Sequence, residues 1–514
     1  MGLCGCAAPQ GSGPAAPQWS ADSATVRMAA GPQYARGAVW RFFWGTHYRD
    51  IWATPVTVPV MRLATTLSDS LIPMRAGGSY QSHTLRLRVA SGQQFVLRSV
   101  DKDASVALPA GWIRGLLGGL MKDQTSAAQP YGAYVAAQLA EAAGVCHTNP
   151  RLVYLPDDPG LGKFRAGYAN ALYLLEERAD GDQRSTASFG HSPDVVNTRH
   201  MLATLRQRPG AQVAARAYLR ARLLDMWLGD WSRREDQWRW ASFPQAGRVS
   251  YRPIPRDRDQ AFFLFDDGVV TRLVSWFVPK YHSFHEHIRL STVAGLTTTA
   301  RALDQTLLAS LSAEDFRQEA DSLRRRLTDV AIAQALTKGP AETRASIAAR
   351  FGPLLRARRA QLPAVAQQYY ENLAREAWVL GTDRAERFVL SGAGPNRLRV
   401  QVLARRPNQA DSLVSERVYD RKVTRQLDLF GLAGDDVFEF KPTMASGFAL
   451  RIYDGNGHDK ILTTAAAAKS DIVWFAAPDG DSDTLPAGIH LEADPHPELS
   501  ANGPGWLKRY NLRD

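Results

Sequence analysis

Two short segments that mix charged and aromatic residues constrain this sequence more than any other feature. The first runs from Leu228 to Trp240 and reads Leu-Gly-Asp-Trp-Ser-Arg-Arg-Glu-Asp-Gln-Trp-Arg-Trp. The second runs from Arg252 to Phe263 and reads Arg-Pro-Ile-Pro-Arg-Asp-Arg-Asp-Gln-Ala-Phe-Phe. Aromatic side chains favour burial, and buried acids and arginines then need charged partners. We therefore expect both segments to lie in folded structure, where they can build sites for phosphate and metal.

Length and composition predict a soluble globular protein with more than one domain. The chain has 514 residues, and 45% of them are hydrophobic, which is enough for several cores. Basic residues exceed acidic ones by 62 to 51, which gives a net charge of +11. Two interpretations stay open: an anionic partner such as a phosphorylated ligand or a membrane surface, or simple solubility. The sequence has no Lys/Arg tract typical of nucleic-acid binding, so we expect no nucleic-acid partner.

The first residues resemble the end of a bacterial lipoprotein signal. They read Met1-Gly-Leu-Cys-Gly-Cys6, in which Cys6 would be lipidated. The apolar segment that a secretory signal needs does not precede it, so an accidental match is the alternative. Residues 7–33 are rich in Ala, Pro, Gly and Ser, which predicts a lipoprotein-like start and flexible tether over residues 1–35. We expect a bacterial cell-envelope protein with a lipid anchor, since no run of about eighteen apolar residues is present to span a membrane.

Apolar spacing and helix breakers divide the remaining sequence into four regions. Residues 36–180 alternate short strands with one Ala-rich helix, residues 181–297 are predicted to be helical, and residues 298–382 form a run of amphipathic helices. Residues 383–514 contain alternating stretches such as Arg397–Leu403, which predict half-buried strands and a sandwich-like β module. The predicted fold class is therefore α+β.

A glycine-rich turn and two basic residues suggest a phosphate site in the first region. Gly77-Gly78-Ser79 precedes a predicted strand pair, and glycines there let backbone amides approach a phosphate. Arg98 and Lys102 lie on and just after the second strand, where a cation can neutralise that phosphate. The turn alone is weak support, because most glycine-rich hairpin turns only reverse the chain.

The order of these elements resembles the CotH-type atypical protein kinases, the spore-coat family. A basic strand pair leads to a helix that ends in Ala143-Gly-Val145, and then to the strand Leu172-Tyr-Leu-Leu-Glu-Glu177. The family's catalytic loop is similar to Gly229-Asp-Trp-Ser-Arg-Arg234, and its metal-binding strand end is similar to Ile254-Pro-Arg-Asp-Arg-Asp-Gln-Ala-Phe262. The resemblance covers most of residues 46–267.

What the resemblance implies is transfer of a phosphoryl group from ATP to an unknown protein or envelope acceptor. It implies a two-lobed kinase-like core, with an N-lobe-like region over residues 36–180 and a C-lobe-like region over residues 181–297. Residues 298–382 would then be a helical appendage. The chain is also similar to the middle region of bacterial envelope proteins that carry a phosphoesterase domain and an outer-membrane barrel.

Specific residues take roles by the same resemblance. Asp257 would bind the Mg²⁺ that bridges the ATP phosphates, and Asp259 and Gln237 would be further ligands, since Mg²⁺ prefers oxygen atoms. The implied cofactor-binding residues are Arg98, Lys102, Glu176 and Gln237. The implied catalytic residues are Asp230, Ser232, Arg233 and Asp257.

Ser232 stands where the family has its catalytic Asp. A serine cannot accept the proton of a substrate hydroxyl unaided, so Asp230 or Asp236 would have to replace that carboxylate from a shifted loop. Two functions stay open, an active kinase and a pseudokinase that acts as a scaffold or binding protein. A third interpretation is a purely structural network of buried ion pairs. Its members would be Asp225, Asp230, Arg233, Arg234, Asp257, Arg258 and Asp259.

Two smaller clusters allow either a metal site or an ordinary turn. His282, His285 and His287 have a spacing that suits zinc, but no second ligand cluster supports it, and a polar surface turn is favoured. Gly431–Phe438 and Asp454–Leu462 resemble the repeats of calcium-binding β-rolls. They do not follow each other directly as β-roll repeats do, so two tight Gly/Asp turns are favoured over bound Ca²⁺.

Overall fold

The structure is a computed structural model that describes most of the chain after residue 23. The described ranges are 24–77, 83–102, 112–278, 281–406, 408–444, 447–463, 471–476, 485–486 and 489–493. The lipoprotein-like start with Cys6 and the glycine-rich turn at Gly78-Ser79 lie outside the described residues. In the part that is described, no helix is long and apolar enough to cross a membrane.

Helices and strands are both abundant, and the predicted α+β class is confirmed. The helices are α1 (Ala38–Trp44), α2 (Arg49–Ala53), α3 (Trp112–Asp123), α4 (Gly132–Ala143), α5 (Arg165–Tyr168), α6 (Thr198–Gln207), α7 (Ala215–Leu228), α8 (Val269–Phe277), α9 (Val293–Thr297), α10 (Arg301–Leu307), α11 (Ala313–Arg326), α12 (Asp329–Leu336) and α13 (Ala341–Ala374). The strands of the first and second lobes are β1 (Thr25–Ala29), β2 (Pro55–Pro59), β3 (Ile72–Gly77), β4 (Thr84–Arg88), β5 (Gln94–Ser99), β6 (Arg151–Leu155), β7 (Ala171–Glu177), β8 (Asp194–Asn197), β9 (Ala211–Val213), β10 (Trp238–Gln245) and β11 (Arg248–Pro255). Those that follow are β12 (Glu376–Leu380), β13 (Glu386–Gly392), β14 (Arg397–Ala404), β15 (Ser412–Asp420), β16 (Gln426–Phe430), β17 (Val437–Phe440), β18 (Ala449–Tyr453), β19 (Lys460–Thr463), β20 (Asp471–Ala476) and β21 (Ile489–Ala493).

A five-stranded antiparallel sheet forms the first lobe, with the strand order β3-β4-β5-β7-β6. Because successive side chains in a strand point to opposite faces, each strand divides its residues between two environments. Leu97 and Leu175 pack with other apolar side chains in a core on one face, and Leu174 packs on the other face in a large cluster that includes α4 and α7. The same alternation carries Arg98 and Glu176 to the second face. Strand periodicity therefore directs two ionisable groups towards the neighbouring lobe.

The second lobe comprises residues 181–297 and contains a four-stranded sheet. The prediction that these residues are helical is therefore wrong in part. The strand order is β8-β10-β11-β9, and β10 and β11 form an antiparallel hairpin. Ala246 and Gly247 form its turn with φ angles of 44° and 80°, the left-handed values that a tight hairpin turn requires. Trp238 and Trp240 are fully buried and pack against Tyr218 of α7 at ring-centroid distances of 4.8 and 5.8 Å. The aromatic residues of the first charged segment thus anchor a strand to a helix.

The predicted tether is wrong in its last part, because residues after 24 belong to the folded structure. β1 pairs antiparallel with β2, with Thr25 opposite Pro59 and Ala29 opposite Pro55. Tyr34 is buried, and its ring lies edge-on to Trp52 with centroids 5.0 Å apart. The Ala/Pro/Gly-rich composition of the whole stretch hides this short alternating strand, which finds its partner only in the folded chain.

The C-terminal β module is confirmed, and its two sheets consist mostly of parallel strands, with antiparallel pairing at β13-β14-β15. All neighbouring strands of the sheet β12-β16-β18-β20-β21 run parallel, as do β13, β17 and β19 in the facing sheet. The turns at Gly431 and Asn456 stack, since Gly431 N–H donates to Tyr453 O at 2.9 Å and Asn456 N–H donates to Leu432 O at 3.1 Å. The described residues hold no group of three or more His, Cys, Asp or Glu suited to a metal, so nothing there supports the less favoured calcium and zinc alternatives.

Replacement of Asp304 by Ala tests the buried ion pair that joins α7 and α10. Arg222 Nε lies 2.9 Å from Asp304 Oδ1, and both side chains are fully buried. Removal of the carboxylate leaves a buried guanidinium short of a partner, so we expect the free energy of unfolding to fall by about 3–5 kcal/mol. Urea unfolding followed by circular dichroism measures the loss. Asp329→Ala is the matched control, because it removes the exposed partner of Arg359 and should cost under about 1 kcal/mol. Equal losses of unfolding free energy in Asp304→Ala and Asp329→Ala would contradict the stabilising role of the buried pair.

Candidate functional site

A cleft lies where the sheet of the first lobe meets the second lobe. It encloses about 560 Å³, part of it open to solvent, between β5, β7, the start of α4 and the segment that follows β11. Trp52, Val100 and Leu174 contribute an apolar wall. The charged lining residues include Arg98, Lys102, Glu176, Asp257 and Asp259. The predicted phosphate-binding cations and two of the three predicted metal ligands are thus brought together in one place.

Arg98 is the cation at the centre of the cleft. Its Nη1 lies 3.0 Å from Asp257 Oδ2, and its Nε lies 3.7 Å from Glu176 Oε2. Burial raises the pKa of Glu176, although Arg98 opposes this shift. Arg98 therefore joins a strand of the first lobe to a carboxylate that belongs to the second.

Asp257 adopts a left-handed backbone conformation, with φ at 62°. A non-glycine residue in this region is strained, and such residues cluster at functional sites. Burial opposes ionisation of Asp257, but the positive charges of Arg98, Lys102 and Arg256 prevail and lower its pKa to about 2. The carboxylate is therefore fully ionised at neutral pH, as a metal ligand must be.

Lys102 forms a second contact across the cleft, an ion pair with Asp259. Burial lowers the pKa of Lys102, while the negative charges of Asp257 and, more weakly, Asp230 and Glu176 raise it. The backbone holds this residue in place, since Thr125 Oγ1 donates to Lys102 O at 3.1 Å. Lys102 thus interacts electrostatically with carboxylates of both charged segments.

The catalytic-type loop begins where α7 ends. Gly229 ends the helix with φ at 70°, and a Cβ there would lie 3.1 Å from Phe284, so a glycine is required. Arg358 of α13 donates to the last helical carbonyls, those of Met226 and Trp227, at 2.7 Å each. The loop therefore leaves the helix in a fixed direction.

Asp230 is completely buried inside this loop. Arg233 forms an ion pair with it, and Ser232 N–H donates to its Oδ1 at 3.2 Å. Burial raises the pKa of Asp230 to about 6, because it outweighs the opposing effect of Arg233. Arg233 Nε also lies 3.0 Å from Asp225 Oδ2. The loop carboxylate is thus ionised at neutral pH but enclosed by protein.

Gln237 and Asp236 are not part of the cleft lining. The side chain of Gln237 donates from Nε2 to Ser232 Oγ at 3.2 Å and accepts the backbone N–H of Arg234 at 3.2 Å. Asp236 pairs with Arg234 on the surface. The amide that the resemblance assigns to a second metal instead stabilises the loop.

Sequence reasoning missed Gln129, which lines the cleft at the start of α4. It is buried, and its Nε2 has no hydrogen-bond partner among the described residues. Its Oε1 accepts the backbone N–H of Tyr131 at 2.5 Å, and this hydrogen bond orients the amide NH₂ group that has no partner. The only sequence signal is a Gln-Pro pair just before an Ala-rich helix, which does not by itself indicate a ligand.

His282, His285 and His287 all border one small cavity beside Gly229, but the described residues hold no group of three or more His, Cys, Asp or Glu suited to a metal. His285 Nε2 lies 2.9 Å from a carboxylate oxygen of Asp266 on the surface. Burial lowers the pKa of His282. The favoured surface-turn interpretation agrees with this arrangement.

Comparison with known proteins gives distant structural likeness alone. No family model matches the chain, and no curated protein matches it. Among solved structures, the crystal structure of the Helicobacter pylori proinflammatory kinase CtkA matches with a TM-score of 0.31 and 12% sequence identity. The match covers 61% of this chain and 99% of that chain. At this score the likeness is distant, and the kinase-like interpretation depends on the geometry of the cleft.

Replacement of Asp257 by Asn tests whether the cleft cations stabilise its ionised form. A carboxyl group whose pKa is lowered by folding stabilises the protein above its unfolded pKa of about 4, and this contribution is lost as the pH falls towards 2. We expect Asp257→Asn to lower the free energy of unfolding by about 2 kcal/mol at pH 7 and by about half as much at pH 3. Urea unfolding at both pH values measures this, with the exposed Asp182→Asn as control. If the loss of unfolding free energy in Asp257→Asn were the same at both pH values, the lowered pKa of Asp257 would be disproved.

Proposed function

We propose that this chain is a CotH-like atypical kinase of the bacterial cell envelope, which binds ATP with Mg²⁺ in the cleft and transfers phosphate to a protein or envelope acceptor. One observation carries the proposal. Residues from two lobes, far apart in sequence, place three cations and three carboxylates around one cleft that also has apolar lining residues. Phosphoryl transfer needs these groups, because its catalysis is mostly positioning and charge neutralisation.

The charge of the cleft explains why nucleotide and metal would bind together. Arg98, Lys102 and Arg258 line the cleft with Glu176, Asp257 and Asp259, so its charges balance. A bare triphosphate would meet the three carboxylates, whereas a divalent cation held by Asp257 and Asp259 would neutralise charge on the phosphates. We therefore expect nucleotide affinity to depend on the metal.

Asp257 and Asp259 fit Mg²⁺ by chemistry, since they offer ionised carboxylate oxygens on one short segment. A bound Mg²⁺ would neutralise charge on the phosphates. Gln237 is not required in this proposal, because its amide is engaged with Ser232 and Arg234. Arg98 and Lys102 would then exchange their carboxylate partners for phosphate oxygens, which ion pairs in a solvent-accessible cleft can do.

Asp230 is the base in the active form of this proposal. It lies close enough to Lys102 for their charges to interact, and its pKa of about 6 suits proton transfer near neutral pH. Ser232, in the place of the family's Asp, is hydrogen-bonded to Gln237 and has no carboxylate to offer. A proton acceptor two residues earlier in the loop replaces the missing one.

The second candidate function is a pseudokinase that binds nucleotide or a partner without transferring phosphate. A specific observation favours it, since Asp230 is fully buried and paired with Arg233. A base in that state reaches a substrate hydroxyl only after the loop opens. The chain would then act as a scaffold or binding protein at the cell envelope, held there by the proposed lipid anchor at Cys6.

Calorimetry of the full chain with ATP tests nucleotide binding. We expect saturable binding in the presence of Mg²⁺ or Mn²⁺ and none with EDTA. Asp257→Ala should weaken binding at least about tenfold, because it removes a charged metal ligand. Asp182→Ala, at an exposed ion pair with Arg184, is the matched control and should bind as the wild type does. Absence of binding with both metals would eliminate the ATP-dependent enzyme and leave the scaffold.

Replacement of Asp230 by Asn separates the active kinase from the pseudokinase. Because the acceptor is unknown, autophosphorylation and ATP hydrolysis are the measured reactions. We expect the wild-type rate to rise as the pH passes through about 6 and Asp230→Asn to lower it by about 100-fold, with ATP affinity changed less than about threefold. Asp236→Asn, at the exposed position, should change neither.

A wild type that binds ATP without turnover would establish the pseudokinase, and Ser232→Asp would then test whether a carboxylate at that position restores transfer. If Asp236→Asn were the variant that loses activity, Asp236 would be the base and the assignment of Asp230 would be wrong.

A further inference from the structure

Two short helices, α1 and α8, expose an unusually apolar surface. Eight large side chains on them are exposed, and the three most exposed are Phe277 at 76%, Val39 at 75% and Trp276 at 74%. The full set comprises Val39, Trp40, Phe42, Phe43, Val269, Leu273, Trp276 and Phe277. The five aromatic members alone expose on the order of 500 Å², which with the aliphatic members exceeds the largest apolar patch of a typical monomer. A surface of this size marks an interaction site.

Close packing makes the two helices one rigid surface. A Cβ on Gly268, at the start of α8, would lie 2.3 Å from Gly45 N and 2.7 Å from Phe43 O, so only glycine permits this approach. His47, just after α1, pairs with Asp267, just before α8, with Nδ1 and Oδ1 2.6 Å apart. The backbone N–H of His47 also donates to Asp267 Oδ2 at 2.6 Å. The apolar side chains of both helices therefore present a joint face.

Arginines lie among these apolar side chains. Arg41 and Arg272 line the groove between the two helices together with Phe42 and Val269. Arg41 has no carboxylate partner among the residues that the structure describes. Arg272 donates from Nε to the carbonyl of Asp266 at 3.1 Å, which leaves its charge unneutralised. The nearby carboxylate of Asp267 is engaged by His47.

Arg36 adds a third positive charge at the edge of the surface. Its guanidinium lies 5.4 Å from the ring centroid of Trp40, and it shares Asp123 with the buried Arg49. One carboxylate between two arginines leaves the pair with a net positive charge. The exposed face is thus apolar at its centre and basic in its groove and at its edge.

We propose that α1 and α8 form a docking surface for an anionic phospholipid bilayer. Exposed Trp and Phe side chains enter the interfacial region of a bilayer, and arginines beside them contact phosphate groups while their aliphatic parts stay in the apolar layer. Charge complementarity selects this occupant over a second copy of the chain, since a symmetric contact would place the same arginines opposite each other. The site is separate from the cleft and does not depend on the proposed kinase activity.

Vesicle flotation of the full chain, produced without export and confirmed by mass as unlipidated, tests the proposal. We expect binding to vesicles of phosphatidylethanolamine with phosphatidylglycerol, and binding at least about tenfold weaker to phosphatidylcholine vesicles. Trp276→Ala with Phe277→Ala should lower the first affinity at least about tenfold. Arg41→Glu with Arg272→Glu should abolish the preference for the anionic vesicles.

The matched control is Leu413→Ser with Val414→Ser, which removes two similarly exposed apolar side chains from β15, and its binding should equal that of the wild type. Phe42→Ser provides a second variant of the face if the double alanine variant does not fold, as judged by circular dichroism. Failure of the wild type to bind anionic vesicles overturns the proposal, as does an equal loss in the control. A wild type that dimerises in light scattering, becomes monomeric in the face variants and ignores vesicles would show that a second copy occupies the face instead.

Discussion

The buried carboxylate of Asp225 is the point on which the second lobe depends. It lies near the end of α7 with no exposed surface, and three arginines contact it: Arg222 at 3.2 Å, Arg233 at 3.0 Å and Arg258 at 3.2 Å. These arginines come from the helix, from the catalytic-type loop and from the segment with Asp257. Because a buried charge that loses its partner is strongly destabilising, the three elements are held in one arrangement. This network therefore fixes the position of the segment that brings Asp257 and Asp259 to the cleft.

The charged residues therefore divide into two groups with different roles. Those around Asp225 are buried and paired with opposite charges, as the structural ion-pair interpretation requires. Those of the cleft differ, because the side chains of Asp257 and Asp259 are 21% and 24% exposed and pair with Arg98 and Lys102 of the other lobe. Water reaches these pairs, so in the proposed function a phosphate and a metal would replace either partner without an uncompensated buried charge. A single pair of sequence segments thus provides both the support and the site.

Much of the candidate site could be predicted from the sequence, because the resemblance of two segments to kinase motifs assigns the carboxylates and strand alternation places Arg98 and Glu176 on one face. Arg98, Lys102, Glu176, Asp257 and Asp259 were expected to act together, and the structure places them around one cleft. The exact conformation of the catalytic-type loop could not be predicted. Hydrogen bonds between Gln237, Ser232 and the backbone, and the enclosure of Asp230, depend on contacts with α7 and α13 that no local pattern contains. Gln129 was missed for the same reason.

The β module shows where alternation stops being informative. A period of two predicts strands but not their direction, since parallel and antiparallel strands bury alternate residues alike. The separation between the Gly/Asp turns at Gly431 and Asp454 argued against stacked repeats, yet it is the length of one complete coil through both sheets. Asp436 N–H donates to Asp459 Oδ1 at 2.7 Å, and Glu386 N–H donates to Asp436 Oδ1 at 2.7 Å. Equivalent acids in successive coils thus bind the backbone of their neighbours, so these acidic turns hold the coils in register.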